Sequence, residues 1–298
     1  MTVLSLADQA VLAEAAQFIS FDLDGSFPSP TADRLLGELA EAKARRVYIG
    51  DELGAKHVWC LEQAINVRMA YVRAFHQLKA GEHYEGWCSL EQAEITLSFL
   101  ERHVPIAGTL TLPGLISKLV AQYQKLFPYA VFFSPEFIVD EAECTICGKP
   151  KRLCAGCGHR VGEIYSGEMA ARRITKAQFV GVGAVHTPLQ KYSVGFAVDD
   201  DGNRKDHYDY SVVEYLVGAL ASPFDDWDVE KTTRLHPRSL FDHLGPSEPC
   251  PCESGETYEA CCLPKEGVER PHVEFSFAVP PPAGYAEVAY TKGFFHAA

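Results

Sequence analysis

The sequence has no long hydrophobic run. None of its apolar stretches approaches the roughly 18 uninterrupted residues that a helix needs to cross a bilayer. The opening segment MTVLSLADQA also lacks the basic region and apolar core of a secretory signal. These absences lead us to expect a soluble, cytoplasmic protein without a membrane span.

Positive charge is also in short supply. The 298 residues include 27 Lys and Arg against 40 Asp and Glu, a formal net charge of −13 at pH 7. Nucleic-acid binding draws most of its affinity from basic side chains set against phosphates, so nucleic acid is a poor candidate partner. One basic stretch is dense enough to form a local patch, which keeps a nucleic-acid-associated factor as an alternative: Lys149, Lys151, Arg152, His159 and Arg160.

What is present is an ordinary globular mixture, 47% hydrophobic and 22% charged. Residues 1–128 predict a helical region, because apolar residues recur at three- and four-residue steps. The clearest stripe is Leu61, Ile65, Met69 and Val72. A capping box of Ser89 and Gln92 predicts a helix that starts at Ser89, and Pro113 opens a further helix.

Residues 129–221 predict a β-rich region with a short helix. The segment YAVFFSPEFIVDEAE is rich in aromatic and β-branched residues and runs directly into Cys144, as a strand feeding a zinc knuckle would. Further strand candidates are QFVGVGAV at 178–185 and KYSVGFAV at 191–198, and DDDGN after them is a turn signal. A capping box at Ser211 opens the short helix.

The rest of the chain divides into three parts. Residues 222–249 are rich in proline and charge and predict an irregular connector. Residues 250–266 hold a cysteine-rich module, and the tail 267–298 contains one strand-like run, HVEFSFAV. The whole pattern, with helices segregated from strands, predicts an α+β fold.

Eight of the ten cysteines fall in two clusters at metal-ligand spacing: Cys144, Cys147, Cys154 and Cys157, then Cys250, Cys252, Cys261 and Cys262. Thiols stay reduced in the cytoplasm, so such clusters are metal ligands rather than disulfides there. Four thiolates are a typical donor set for structural zinc, and we predict two Zn²⁺ ions per chain. The remaining Cys60 and Cys88 are interpreted as buried small hydrophobes.

The first cluster repeats Cys-x-x-Cys-Gly at 144–148 and 154–158, but only six residues separate the two knuckles. This is shorter than a typical zinc ribbon, so His159 is a credible fourth ligand. We favour the four cysteines, with His159 in place of Cys154 or Cys157 as the alternative. The series of cysteines followed by His159, Gly162 and Tyr165 resembles a zinc motif of uncharacterised bacterial and phage-associated proteins, and that resemblance implies a histidine ligand.

The second cluster, PCPCESGETYEACC, resembles the SEC-C motif. This small zinc module occurs at the C-terminus of the SecA translocation ATPase and is appended to many unrelated bacterial proteins. Further agreement comes from Ser254, Gly255 and Tyr258. The resemblance implies that one zinc is held by Cys250, Cys252, Cys261 and Cys262. Acidic residues such as Glu253 and Glu256 replace the usual lysine or glycine, so the module's usual contacts with an export chaperone and ribosomes are not expected here.

These features favour a non-catalytic zinc protein that acts in protein interaction or as a scaffold, with a protein partner. No Gly-x-x-x-x-Gly-Lys-Ser/Thr stretch is present, which excludes a translocation ATPase. One alternative comes from FISFDLDGSF at 18–27, which resembles the first motif of haloacid-dehalogenase-like phosphatases. There Asp22 would be the nucleophile and Asp24 the acid/base in a magnesium-dependent reaction. The other interpretation of FDLDGS at 21–26 is an aspartate-rich turn between two helices.

Overall fold

The computed structural model describes residues 6–20, 23–106, 111–150 and 156–282. Its architecture is α+β, as the sequence predicts. Contacts divide the chain into two units. The first consists of Met1–His207 with Ser222–Phe224, and the second of Tyr208–Ala221 with Asp225–Ala298. The finer region boundaries drawn from the sequence stay predictions.

The first unit contains a helical bundle built around one central helix. Its helices are α1 (Leu6–Ser20), α2 (Pro30–Tyr48), α3 (Glu52–Lys79), α4 (His83–Leu100) and α5 (Leu112–Gln124). The other four all pack against α3, where Ile65 and Val72 are fully buried and Leu61 is partly buried. Among the described helices, none combines the length and apolarity that a membrane span requires.

Local capping explains where α3 begins but not where α4 begins. The Asp51 carboxylate accepts a hydrogen bond from the Gly54 N–H at 3.0 Å and so satisfies a free donor in the first turn of α3. Helix α4 begins at His83, so the prediction of a start at Ser89 is wrong. The reason is tertiary, because the Ser89 hydroxyl donates to Gln77 Oε1 of α3 at 2.7 Å instead of capping its own helix.

A long antiparallel ribbon follows the helices. It pairs β1 (Phe132–Cys144) with β4 (Arg172–Val185), which confirms the strand predictions for YAVFFSPEFIVDEAE and QFVGVGAV. The third candidate, KYSVGFAV at 191–198, is wrong for most of its length, because only its last two residues are in a strand. The connection between them contains a small hairpin of β2 (Ile164–Tyr165) and β3 (Glu168–Met169). A second small hairpin pairs β5 (Ala197–Val198) with β6 (Arg204–Lys205) around the predicted DDDGN turn.

The ribbon is anchored on the bundle at both ends. At the end far from the cysteines, the buried Phe132 ring stacks on Trp87 of α4, with ring centroids 6.3 Å apart. At the cysteine end, the Ser166 N–H donates to Glu52 Oε2 of α3 at 2.7 Å, and Glu168 pairs with Lys43 at 3.2 Å. These contacts fix the β1–β4 connection, which carries the first cysteine cluster.

The second unit is built on another two-stranded ribbon. Its elements are α6 (Ser211–Ala219), β7 (Trp227–Pro237), a short 3-10 helix (Arg238–Phe241), α7 (Tyr258–Cys261) and β8 (Gly267–Phe277). Strand β7 pairs with β8 over its whole length. The prediction of an irregular connector over 222–249 is therefore wrong for this strand. The sequence of β7 is charged and rich in threonine, so its apolar pattern does not indicate a strand. The strand is defined by its backbone hydrogen bonds to β8.

Candidate metal centres

The first candidate centre begins where β1 ends. Cys144 is the last residue of β1, and the chain turns back immediately after Cys147 through Gly148, whose φ is +66°. The Gly148 N–H donates to the Cys144 carbonyl at 2.8 Å. A residue with a side chain is disfavoured in this left-handed conformation, which explains the glycine of the knuckle.

Three of the predicted cysteine ligands come together with the predicted histidine. One ligand atom from each of Cys144, Cys147, Cys157 and His159 lies within 4.8 Å of the others. Cys144 Sγ lies 3.6 Å from His159 Nδ1. Cys154 lies outside the described residues, as do Lys151 and Arg152 of the basic stretch.

The loop that carries His159 is held by the residues of the sequence pattern. The His159 ring packs edge-on against Tyr165, with centroids 4.6 Å apart, and the Tyr165 hydroxyl accepts the Arg160 N–H at 3.1 Å. Gly162 has a φ of +89°, and its carbonyl is 3.0 Å from His103 Nε2 of the helical bundle. The Gly and Tyr of the pattern therefore shape the loop that presents the histidine.

The surroundings of Cys144 favour its thiolate form. Burial by itself would raise the pKa of this thiol, but the N–H groups of Cys147 and Ile146 point at the sulfur and oppose that effect. Hydrogen bonding to Cys157 and His159 lowers it further, to a pKa of about 6. Because the thiolate is the form that binds metal, this arrangement suits a metal ligand at neutral pH.

The second candidate centre has four sulfurs at coordination distance. The Sγ atoms of Cys250 and Cys252 are 3.3 Å apart, those of Cys252 and Cys261 are 3.5 Å apart, and those of Cys261 and Cys262 are 3.7 Å apart. All four lie within 4.8 Å of one another. Sulfurs bound tetrahedrally at about 2.3 Å from zinc would be about 3.8 Å apart. The donor set and the spacing therefore fit zinc.

The loop between the two cysteine pairs has a compact, turned backbone. Glu253 and Gly255 both have positive φ, at 64° and 81°. The Ser254 hydroxyl donates to Cys261 Sγ at 3.3 Å, and the Tyr258 N–H donates to the Glu248 carbonyl at 2.8 Å. These contacts bring the start of α7 back to Cys250, so all four sulfurs converge.

A small apolar core supports this centre. Two of its cysteines pack with three buried side chains of the second unit: Phe241, Tyr258 and Val268. Val268 comes from β8, and the neighbouring Arg270 forms an ion pair with Glu253 at 3.3 Å. The module is thus built against the β7–β8 ribbon rather than on a free loop.

The surroundings of the second centre shift the pKa values of its thiols in opposite directions. Burial would raise the pKa of Cys252, but hydrogen bonding with Ser254 and with the Cys250 sulfur lowers it to about 6. Burial instead raises the pKa of Cys262, and the neighbouring sulfurs raise it further. Such coupled thiols lose their protons together when a cation compensates the charge.

Comparison with known proteins agrees with this geometry. The SEC-C motif model matches residues 247–264, which confirms the resemblance found in the sequence. The chain therefore carries an SEC-C motif, and its four cysteines form one of two Cys/His clusters compatible with zinc binding. No curated protein and no solved structure gives a match to the chain.

The remaining sequence candidates occupy different surroundings. Cys60 is buried, and burial raises the pKa of its thiol, whereas Cys88 is half-buried. Asp22 lies outside the described residues. The exposed Asp24 accepts hydrogen bonds from the N–H and hydroxyl of Ser26 at 3.0 Å and 2.6 Å. Residues 18–20 of the phosphatase-like segment are the end of helix α1, where the phosphatase alternative requires a buried strand.

Sequence reasoning missed two residues that position the first centre. Glu52 and His103 both lie in the helical region, and each holds one part of the β1–β4 connection. They are 114 and 59 residues away from their partners along the chain. No local spacing signals contacts of that kind.

Proposed function

We propose that this chain is a non-catalytic, zinc-organised protein that acts in protein interaction or as a scaffold, and that each chain holds two zinc ions. The observation that carries the proposal is that each centre offers a complete set of four protein ligands. Each cluster offers four sulfur or imidazole-nitrogen ligand atoms within 4.8 Å of one another. Four protein ligands complete a tetrahedral zinc shell and define a structural site.

The ligands of the first ion are Cys144, Cys147, Cys157 and His159 in this proposal. Their mutual proximity supports the assignment, and the histidine agrees with the resembling sequence pattern. The SEC-C motif supplies the second set, Cys250, Cys252, Cys261 and Cys262. Cys154 is the competing fourth ligand of the first ion, and a direct test is given in the Discussion.

An interaction role fits these centres better than hydrolysis does. A catalytic zinc ordinarily keeps three protein ligands and one position for an activated water. Neither cluster leaves that position free when its four ligands bind. An SEC-C motif is moreover a small module, matched here over residues 247–264 alone, so the rest of the chain supplies the specific partner contact.

The first experiment measures metal content in protein purified without added zinc, by elemental mass spectrometry. We expect two zinc ions per chain, falling to one in Cys147→Ser and to one in Cys261→Ser. Cys60→Ser is the matched control, because Cys60 belongs to neither cluster, and it should retain two ions. One ion or none in the unaltered chain, or iron or magnesium instead, would refute the two-zinc assignment.

A second experiment separates the interaction role from the two alternatives. Magnesium-dependent phosphatase turnover that disappears in Asp22→Asn would establish an enzyme, and salt-sensitive oligonucleotide binding that disappears in a Lys151→Ala, Arg152→Ala variant would establish a nucleic-acid factor. We expect neither activity. We expect instead a partner protein whose binding, reconstituted from purified components, is lost when zinc is removed from the chain.

A further inference from the structure

One face of the β1–β4 ribbon carries four facing pairs made only of apolar residues. Directly paired residues share a face of a sheet, and these four are every second pair along the first part of the ribbon, with a register shift between the second and the third. Strand β1 contributes Phe133, Pro135, Phe137 and Val139. Strand β4 places Val182 opposite Pro135, Phe179 opposite Phe137, and an alanine opposite each of the other two. We call this surface the apolar face.

The apolar face is open to solvent. Phe133, Phe137, Phe179 and Val182 are 47%, 53%, 62% and 57% exposed, and the rings of Phe137 and Phe179 touch edge-on with centroids 5.7 Å apart. On the opposite face Phe132 is buried against Trp87 of α4, whereas Ile138 further along the strand is 57% exposed. An antiparallel sheet ordinarily turns its apolar side to the core, so an apolar face left in solvent is unusual.

The outer edge of β1 is poorly suited to pairing with a further strand. Its first part is already paired, since the Phe133 N–H donates to the Ser193 carbonyl at 2.7 Å. Pro135 follows two residues later on the same edge and has no N–H to offer. An added strand would meet this interruption at the start of β1, beside the apolar face.

We infer that the apolar face binds the apolar face of a second copy of this chain, giving a two-fold dimer. Its size is sufficient. With about 200 Å² for each phenylalanine, the three exposed rings present about 300 Å², and the valines and proline bring the total to about 500 Å² per copy. Two copies would bury about 1,000 Å², the lower limit for a specific interface.

The composition of the face also fits a copy of itself. A two-fold contact uses the same patch twice, and residues near the axis meet their own counterparts, so an ionisable group there would meet a like charge. The four facing pairs contain no ionisable residue. Charge acts only at longer range, where the net charge of −13 on each copy opposes association and is screened by salt.

The experiment is sedimentation equilibrium of the full zinc-loaded chain over a range of concentrations, with Phe179→Glu and Ile138→Glu. Both positions are similarly exposed, at 62% and 57%, but Ile138 lies on the opposite face, next to Phe137. We expect a monomer–dimer equilibrium whose dissociation constant rises at least tenfold in Phe179→Glu and stays unchanged in Ile138→Glu. Added salt should leave the dimer intact or tighten it.

Several results would overturn the inference. These are a monomer at every concentration, an equal effect of the two substitutions, or dissociation of the dimer by salt. Phe137→Ser serves as a second variant of the face in case Phe179→Glu alters folding. Zinc content is measured in the same samples, so a failure of the zinc assignment is recognised separately from a failure of dimerisation.

Discussion

Cys144 and His159 meet across the first metal centre, with the cysteine Sγ 3.6 Å from the histidine Nδ1. The contact joins the end of β1 to a loop 15 residues further along the chain. Tyr165 packs edge-on against the same imidazole and limits its movement. His159 is thus contacted on two sides, by the Cys144 sulfur and by the Tyr165 ring.

Replacing His159 should therefore abolish binding of the first zinc ion. We expect His159→Ala to contain one zinc per chain and Cys154→Ser to contain two, measured by elemental analysis. Replacement of zinc by Co²⁺ provides a second readout, because the intensity of thiolate-to-metal charge transfer increases with the number of sulfur ligands. Loss of zinc in Cys154→Ser with retention in His159→Ala would assign the site to four cysteines.

The core beneath the SEC-C motif should be sensitive to a small deletion. Val268→Ala removes two buried methyl groups from the side chain that packs with Cys250 and Cys262, at a cost of about 2 kcal/mol. Hydrogen exchange of the α7 and β8 amides in zinc-loaded protein measures this loss. Leu235→Ala in β7 is the control, since Leu235 is 57% exposed. Equal effects of the two substitutions would contradict the packing described here.

The N-cap of the central helix should contribute measurable stability. Asp51→Ala removes the acceptor for the Gly54 N–H at the start of α3, and we expect a loss of about 1 kcal/mol in the free energy of unfolding. The Gly54 N–H first, and then Arg46, lower the pKa of Asp51 below its usual 3.8. The stabilisation is therefore fully present above pH 3.8 and is lost as the pH falls through the lower folded pKa.

Denaturant unfolding of the variant and the unaltered chain at several pH values checks this expectation. The difference in stability should be constant near neutral pH and shrink in acid. Asp33→Ala is the matched control, since Asp33 also lies in the first turn of a helix but is not its N-cap residue. A difference that grows on acidification would contradict the assigned role of Asp51.

The contact between α3 and the β2–β3 hairpin should restrict the loop of the first centre. Glu52→Ala removes the acceptor for the Ser166 N–H and hydroxyl. We expect hydrogen exchange at residues 164–169 to accelerate about fivefold, equivalent to about 1 kcal/mol, while two zinc ions remain bound. Glu82→Ala is the control, because Glu82 makes no side-chain capping bond. Unchanged exchange in Glu52→Ala would show that the contact does not hold the hairpin.

Features with short-range causes were predictable from the sequence. The apolar period of Ile65 and Val72 follows the geometry of one helix, and the cysteine spacing follows the geometry of one metal ion. Strand β1 was visible because its residues are aromatic and β-branched. Strand β7 was not, since its sequence WDVEKTTRLHP has no apolar alternation and is defined by its pairing with β8.

The same limit explains the wrong start of α4 and the residues that were missed at the first metal centre. Ser89 begins a sequence that looks like a helix cap, yet α4 extends back to His83 because contacts with α3 outweigh the local preference. Glu52 and His103 could not be associated with the first centre, since nothing in their own neighbourhoods distinguishes them. Local chemistry indicated the ligands, and only the tertiary fold revealed what holds them.

The position of the first cysteine cluster within the β1–β4 connection also bears on the rate of folding. Cys144 pairs with Arg172 at the cysteine end of the ribbon, and Phe132 pairs with Val185 at the far end, after a longer loop has closed. A metal ion that links Cys144 to His159 shortens the free chain between the strands and reduces the entropy lost on first pairing. We therefore expect the zinc concentration to determine how fast β1 and β4 pair, starting from the metal end, as well as how stable the paired ribbon is.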